Sequence, residues 1–174
     1  KIMTSYIVAD YLKQGFLNIK DSTTVSEKCW RMEGSRMFIQ EGKKVLIEDL
    51  MRGMIIQSGN DAACALAEHI AGTQEDFASL MNDYAQKMEL KNTNFTNPTG
   101  LPNVNHYSTA EDIAKLSIVL INDFPDEYAI YSEKEFTYND IRQLNRNSLL
   151  WQDDSIDGIK TCLLYTSPSP RDDR

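Results

Sequence analysis

Ser58, Gly59 and Asn60 set a hydroxyl, a bare backbone position and a carboxamide in a row between two apolar helical runs, where packing alone asks for none of them. Two apart in a turn, Ser58 and Asn60 can both project from the helix junction into one cleft. A hydroxyl there can pass on a proton, and an amide can both donate and accept a hydrogen bond. Asp61 follows in the first turn of the next helix, where a negative charge meets the positive end of the helix dipole. The plainer alternative is a helical corner, with Ser58 ending one helix and Asn60 capping the next. Two lysines flank this turn at long range. Lys1 heads a run with apolar residues at 2, 3, 6, 7 and 11, so it stands at the start of a largely buried helix. Lys160 lies near the end of Ile156–Thr161, a segment readable as a strand, with the Thr161 hydroxyl beside it.

The elements that must position these groups follow from periodicity and punctuation. The first helix is predicted from Ile2 to Gln14, stopped by Gly15. Residues 16–46 read as irregular loop with short extended pieces. Ile47, Leu50, Met51, Met54 and Ile55 form a helical stripe running into the Ser-Gly-Asn turn, and an alanine-rich helix follows to Ala71, ending at Gly72. Thr73 with Asp76 makes an N-terminal cap for a helix carrying Phe77, Leu80, Met81, Tyr84 and Met88 on one face. A turn-rich loop spans 92–107 with Pro98, Gly100 and Pro102. Ser108 with Glu111 reads as a capping box for a helix bearing Ile113, Leu116, Leu120, Ile121 and Phe124, ended by Pro125. Strands are predicted at Glu135–Tyr138 and Ile156–Thr161.

The bulk properties narrow the function classes. One domain is expected from 174 residues, 41% of them hydrophobic. With 18 basic against 26 acidic residues the net charge is −8, and no basic patch or aromatic platform stands out, so nucleic acid is not expected as a partner. No run reaches the roughly 18 apolar residues that would span a membrane. Cys29, Cys64 and Cys162 are odd in number and lack metal-type spacing, so no metal is expected; Cys64 reads as a small core residue of its helix. His69, within an apolar helix, reads as a partly buried packing residue, and His106, in the Pro/Gly loop, as solvated; neither is expected to act as a catalytic base.

Lys1 before Ile2-Met3-Thr4-Ser5-Tyr6, the run Ile55-Ile56-Gln57-Ser58-Gly59-Asn60-Asp61-Ala62, and Asp157-Gly158-Ile159-Lys160-Thr161 resemble, in that order, the S-x-x-K, S-x-N and K-T-G motifs of penicillin-binding enzymes. Glu133-Lys134-Glu135-Phe136-Thr137-Tyr138-Asn139 and Ile141-Arg142-Gln143-Leu144-Asn145-Arg146-Asn147 extend the likeness to low-molecular-mass D-alanyl-D-alanine carboxypeptidases, the penicillin-binding protein 5/6 type, over residues 1–161. The resemblance implies an α/β, β-lactamase/transpeptidase-like fold, of which this chain would be a fragment dominated by the all-helical lobe with one or two strands. It departs from the family at Cys162, where the family has glycine, and residues 162–174 read as a non-native tail. The family's nucleophilic serine would lie three residues before Lys1, outside this chain.

The resemblance also implies roles. The serine attacks the carbonyl between two D-alanines of a peptidoglycan stem peptide, and water then hydrolyses the acyl-enzyme. Lys1 would be the general base, kept partly unprotonated by burial and nearby cations. Ser58 would relay a proton to the leaving nitrogen, and Asn60 would hold the substrate's peptide group and orient the lysine. Lys160, Thr161 and Arg146 would meet the substrate carboxylate. The expected partners are the stem peptide and β-lactam antibiotics as inhibitors, with no cofactor, in the bacterial cell envelope. A class A β-lactamase is disfavoured, because Gly59 stands where that class usually has aspartate and its deacylating glutamate has no equivalent here. The alternative is a non-catalytic peptidoglycan- or penicillin-binding module. The chain as it stands is expected to be inactive and, with apolar sheet-facing surfaces uncovered, poorly soluble.

Overall fold

The computed structural model describes residues 1–162. Its centre is an alanine-rich helix, α4 (Asn60–Ala71), buried without a break from Asn60 to Ala67. Small side chains let neighbours approach from several directions, and α4 packs against α1 (Ile2–Lys13), α2 (Glu27–Trp30), α3 (Ile47–Ile55) and α5 (Gln74–Lys87). α1 is nearly as deep, buried from Met3 to Ala9. Its burial brings even Thr4 and Ser5 inside, and each finds a partner: Thr4 Oγ1 donates to the Pro98 carbonyl at 2.7 Å, and Ser5 Oγ bonds the Tyr131 hydroxyl at 2.6 Å. α6 (Ala110–Asp123) and the short α7 (Pro125–Tyr128) close the lobe.

The strands are few and short. β1 (Ser22–Thr24) pairs antiparallel with β2 (Lys44–Leu46), and β3 (Glu135–Tyr138) with β4 (Ile141–Leu144) through the tight turn at Asn139 and Asp140, both at positive φ. β3 lies where its sequence places it. The segment 156–161 is not a strand here: extended residues become one only beside a hydrogen-bonding neighbour, and no described residue pairs with them.

Several local expectations shift. The 16–46 stretch contains the helical turn α2, capped by Ser26, whose hydroxyl accepts from Cys29 N. Thr73 caps α5 as expected, but α6 is capped one residue later than the Ser108 pattern indicates, by Thr109 accepting from Asp112 N. Within α6, Leu116 and Leu120 are buried while Ile121 is exposed, so the buried stripe is narrower than its apolar residues. Pro125 does not merely stop α6; it starts α7, where a missing N–H costs nothing.

The cysteine reading is corrected outright. Cys29 and Cys64 are joined in a disulfide that closes 35 residues and ties α2 to α4. Cys64 is buried, but as half of a cross-link. His69 is exposed on the outer face of α4, not a packing residue. His106 is not simply solvated: it is half-buried against the Phe95 ring, its Nδ1 accepts from Thr96 N at 3.1 Å, and burial lowers its pKa. The proposed tail falls outside the described residues from 163 onward.

Candidate active site

Two segments distant in sequence meet the Lys1 amine. It donates to Asn60 Oδ1 at 2.6 Å and to the Thr99 carbonyl at 2.8 Å. Asn60 is the first residue of α4 and not its cap, because the N-cap position belongs to Gly59. Its side chain is therefore free to leave the helix. Its Nδ2 donates to the Glu33 carbonyl at 2.6 Å, so the amide is held from both sides and its orientation is fixed by chemistry: a carbonyl needs the NH2 end and a lysine needs the oxygen. Its backbone N–H donates to the Ser35 carbonyl at 2.7 Å.

The 31–41 loop that supplies those carbonyls is anchored by Asp61. This wholly buried carboxylate accepts from Met37 N and Phe38 N, both at 3.0 Å, from Ile39 N at 3.3 Å and from Ala62 N at 2.9 Å. The helix-dipole position read from sequence is real, but the main work of Asp61 is to collect backbone donors of a loop that has no ladder of its own. Gly34 makes the close approach feasible: it sits at φ +80°, and a Cβ there would lie 2.8 Å from Asn60 Nδ2. The disulfide joins the start of this loop to α4 one turn past Asn60.

The electrostatics push Lys1 toward the neutral amine. Burial, reinforced by the nearby Lys160 cation, lowers its pKa from 10.5 to about 8, against an opposing pull from Asp61. Lys160 is itself lowered to about 8, by burial and then by Arg146. A group at that pKa is about one-tenth free amine at pH 7. A neutral lysine has two N–H bonds and one lone pair; Asn60 Oδ1 and the Thr99 carbonyl take both N–H bonds, leaving the lone pair to accept a proton.

The structure thus brings Lys1 and Asn60 into contact and sets Lys160 close enough to act on Lys1 electrostatically. Ser58 lies two residues before Asn60 at φ +65°, half-exposed, and no hydrogen bond ties its hydroxyl to Lys1, Asn60 or Lys160 among the described residues. Lys160 Nζ lies 3.4 Å from Thr161 Oγ1. Arg146 is exposed, its backbone N–H bonded to the Ile56 carbonyl at 3.1 Å beside the end of α3, and it acts on Lys160 rather than on Lys1. Sequence reasoning did not single out Thr99, Glu33, Ser35 or the Cys29–Cys64 pair. Backbone carbonyls carry no residue signature; the run Asn97-Pro98-Thr99-Gly100 marks a tight turn but not what the turn serves. The group Cys29, Cys64 and Glu68 has ligand atoms close enough for a metal, but both sulfurs are spent in the disulfide.

A model of the D-alanyl-D-alanine carboxypeptidase family, peptidase S11, matches residues 1–167. The chain belongs to that family. The D-alanyl-D-alanine carboxypeptidase DacA of Haemophilus influenzae is 49% identical over 165 residues, covering 92% of this chain and 42% of that protein. Penicillin-binding protein 6B of Escherichia coli superposes with a TM-score of 0.89 at 42% identity, over 94% of this chain and 54% of that one. At 25% identity and a TM-score of 0.82, penicillin-binding protein D2 of Listeria monocytogenes, in an ampicillin-bound form, matches 94% of this chain and 67% of that one. The chain therefore spans less than half the length of the curated relative, and it carries the helical part of a penicillin-binding carboxypeptidase fold.

Proposed function

We propose that the protein is a serine-type D-Ala-D-Ala carboxypeptidase that removes the terminal D-alanine of peptidoglycan stem peptides through an acyl-enzyme. The observation that carries this reading is the Lys1 amine, held between Asn60 Oδ1 and the Thr99 carbonyl with its pKa pushed down to about 8. A serine hydroxyl is a poor nucleophile at neutral pH and needs a base within reach. In this reading the serine stands three residues before Lys1 in the longer protein, one helical turn away on the same face. Lys1 takes its proton as the hydroxyl oxygen attacks the scissile carbonyl, Ser58 relays a proton to the departing D-alanine nitrogen, and water releases the acyl group. Lys160 and Thr161 hold the terminal carboxylate, with Arg146 adding to the same positive field.

The envelope is the proposed location, on the periplasmic side of the inner membrane. The Cys29–Cys64 disulfide supports an oxidising compartment, where such bonds persist. No helix among the described residues is long and apolar enough to cross a membrane. β-Lactams are the proposed inhibitors, since they present a reactive carbonyl beside a carboxylate to the same groups.

The test is fluorescent-penicillin labelling and D-alanine release by the full-length protein and its Lys1→Ala variant. Covalent labelling and release by the parent, both lost in the variant, are expected. A labelled Lys1→Ala protein with unchanged turnover removes Lys1 as the base; a parent that binds penicillin reversibly without acylation is a binding module.

A further inference from the structure

The second acceptor on the Lys1 amine is a backbone carbonyl in a loop, and something must hold it there. Thr99 is 5% exposed and belongs to no helix or strand. The turn around it is organised by one side chain. Asn97 Oδ1 accepts from Thr99 N at 3.2 Å, Thr99 Oγ1 at 2.9 Å and Gly100 N at 2.7 Å, while its Nδ2 donates to the Leu101 carbonyl at 3.0 Å and lies 3.4 Å from Thr96 Oγ1. Thr99 Oγ1 in turn accepts from Leu101 N at 3.2 Å, and Gly100 closes the turn at φ +78°. The carboxamide thus gathers the backbone donors on one side of the turn, and the carbonyls of Pro98 and Thr99 face α1. There Pro98 accepts from Thr4 Oγ1 at 2.7 Å and Thr99 from Lys1 Nζ at 2.8 Å.

From this we infer that Asn97 is a positioning residue for the general base: it touches no reacting atom, but it holds the Thr99 carbonyl that takes one N–H of Lys1 and so directs the lysine lone pair. This rests on the carboxypeptidase reading. Asn97 has the chemistry the job needs, an oxygen able to accept several N–H groups and an NH2 to fasten the far side of the turn, on a side chain short enough to bond its own backbone two and three residues on. Asn60 fixes the other N–H of the same amine from α4, so the two asparagines bracket Lys1 from different elements.

The experiment is stopped-flow acylation of the full-length protein by a chromogenic cephalosporin, separating non-covalent binding from the acylation step. Asn97→Ala is expected to acylate about tenfold more slowly with a dissociation constant within about twofold of the parent, since misplacing a catalytic group by about 1 Å costs up to 10²-fold while the carboxylate contacts are untouched. Asn97→Asp, which keeps the accepting oxygen but lacks the NH2 that meets the Leu101 carbonyl and adds a negative charge near Lys1, should fall between Asn97→Ala and the parent when compared at pH 9, where Lys1 is largely neutral. Weakened binding with an unchanged acylation step, or an Asp variant as slow as Ala at that pH, overturns the inference. Should Asn97→Ala not fold, Asn97→Ser is read the same way, its hydroxyl able to accept only part of the set; acylation at the parent rate overturns the inference. Lys1→Ala separates the two ideas. If it acylates normally the carboxypeptidase mechanism itself is wrong, whereas a dead Lys1→Ala beside a fully active Asn97→Ala removes the positioning role alone.

Discussion

Reducing the Cys29–Cys64 bond should cost the domain about as much stability as one well-packed core residue, and the size follows from chain length. The bond closes 35 residues. Cross-linking a loop of that size removes about 13 cal/mol/K of entropy from the unfolded chain, or about 4 kcal/mol at 25 °C. Both sulfurs are wholly buried between α2 and α4, and reduction removes no side-chain heavy atom, so it leaves no cavity. The comparison is one protein in two redox states, which avoids the cavities that alanine substitutions would leave. Urea unfolding of the full-length protein, followed by the fluorescence of Trp30 beside Cys29, would be measured with and without a phosphine reductant, with intact mass confirming the two-hydrogen difference. The expected result is a loss of roughly 4 kcal/mol, with the 31–41 loop exchanging amide hydrogens faster once untied from α4. A loss below about 1 kcal/mol would show that the unfolded chain is already compact around these residues and that loop entropy is the wrong account. Identical masses after reduction in denaturing urea would show that the bond does not form at all.

Other consequences can be checked alongside. Because Lys1 must be neutral to act and its pKa is held near 8 by burial and Lys160, the first-order acylation step at saturating β-lactam should rise about tenfold per pH unit below 8 and level off above it; Lys160→Ala should move that limb to higher pH, and a flat profile from pH 6 to 9 would exclude Lys1 as the base. Gly53→Ala would place a Cβ 2.2 Å from Met37 Sδ and 2.9 Å from Met37 Cβ, displacing the loop that holds Asn60. It should cost about 1–3 kcal/mol in thermal or urea denaturation and slow acylation, and an unchanged denaturation midpoint would show that Met37 moves aside freely. Asp61→Ala should be harsher, about 3 kcal/mol or more, because it strips the acceptor from the Met37, Phe38 and Ile39 N–H groups; penicillin labelling should fall with it.

Helical periodicity located α1, α3, α4, α5 and α6 because each must bury one face, and that requirement is written into residues three and four apart. The motif residues were legible for a related reason: a lysine, a Ser-Gly-Asn turn and a Lys-Thr pair are unusual enough in type and order to carry a resemblance without coordinates. What the sequence could not hold was pairing at a distance. Cys29 and Cys64 looked like an unremarkable odd set until folding brought α2 against α4. The segment 156–161 has strand-like residues, but strandedness depends on a neighbour. Asp61 suits a helix N-terminus on local grounds, yet its carboxylate is committed to a loop more than twenty residues earlier. The same holds at the centre of the site. Side-chain identity names Lys1 and Asn60 as candidates, but the partners that aim them are the carbonyls of Glu33 and Thr99, and every residue has a carbonyl; only the tertiary structure decides which of them meets the amine.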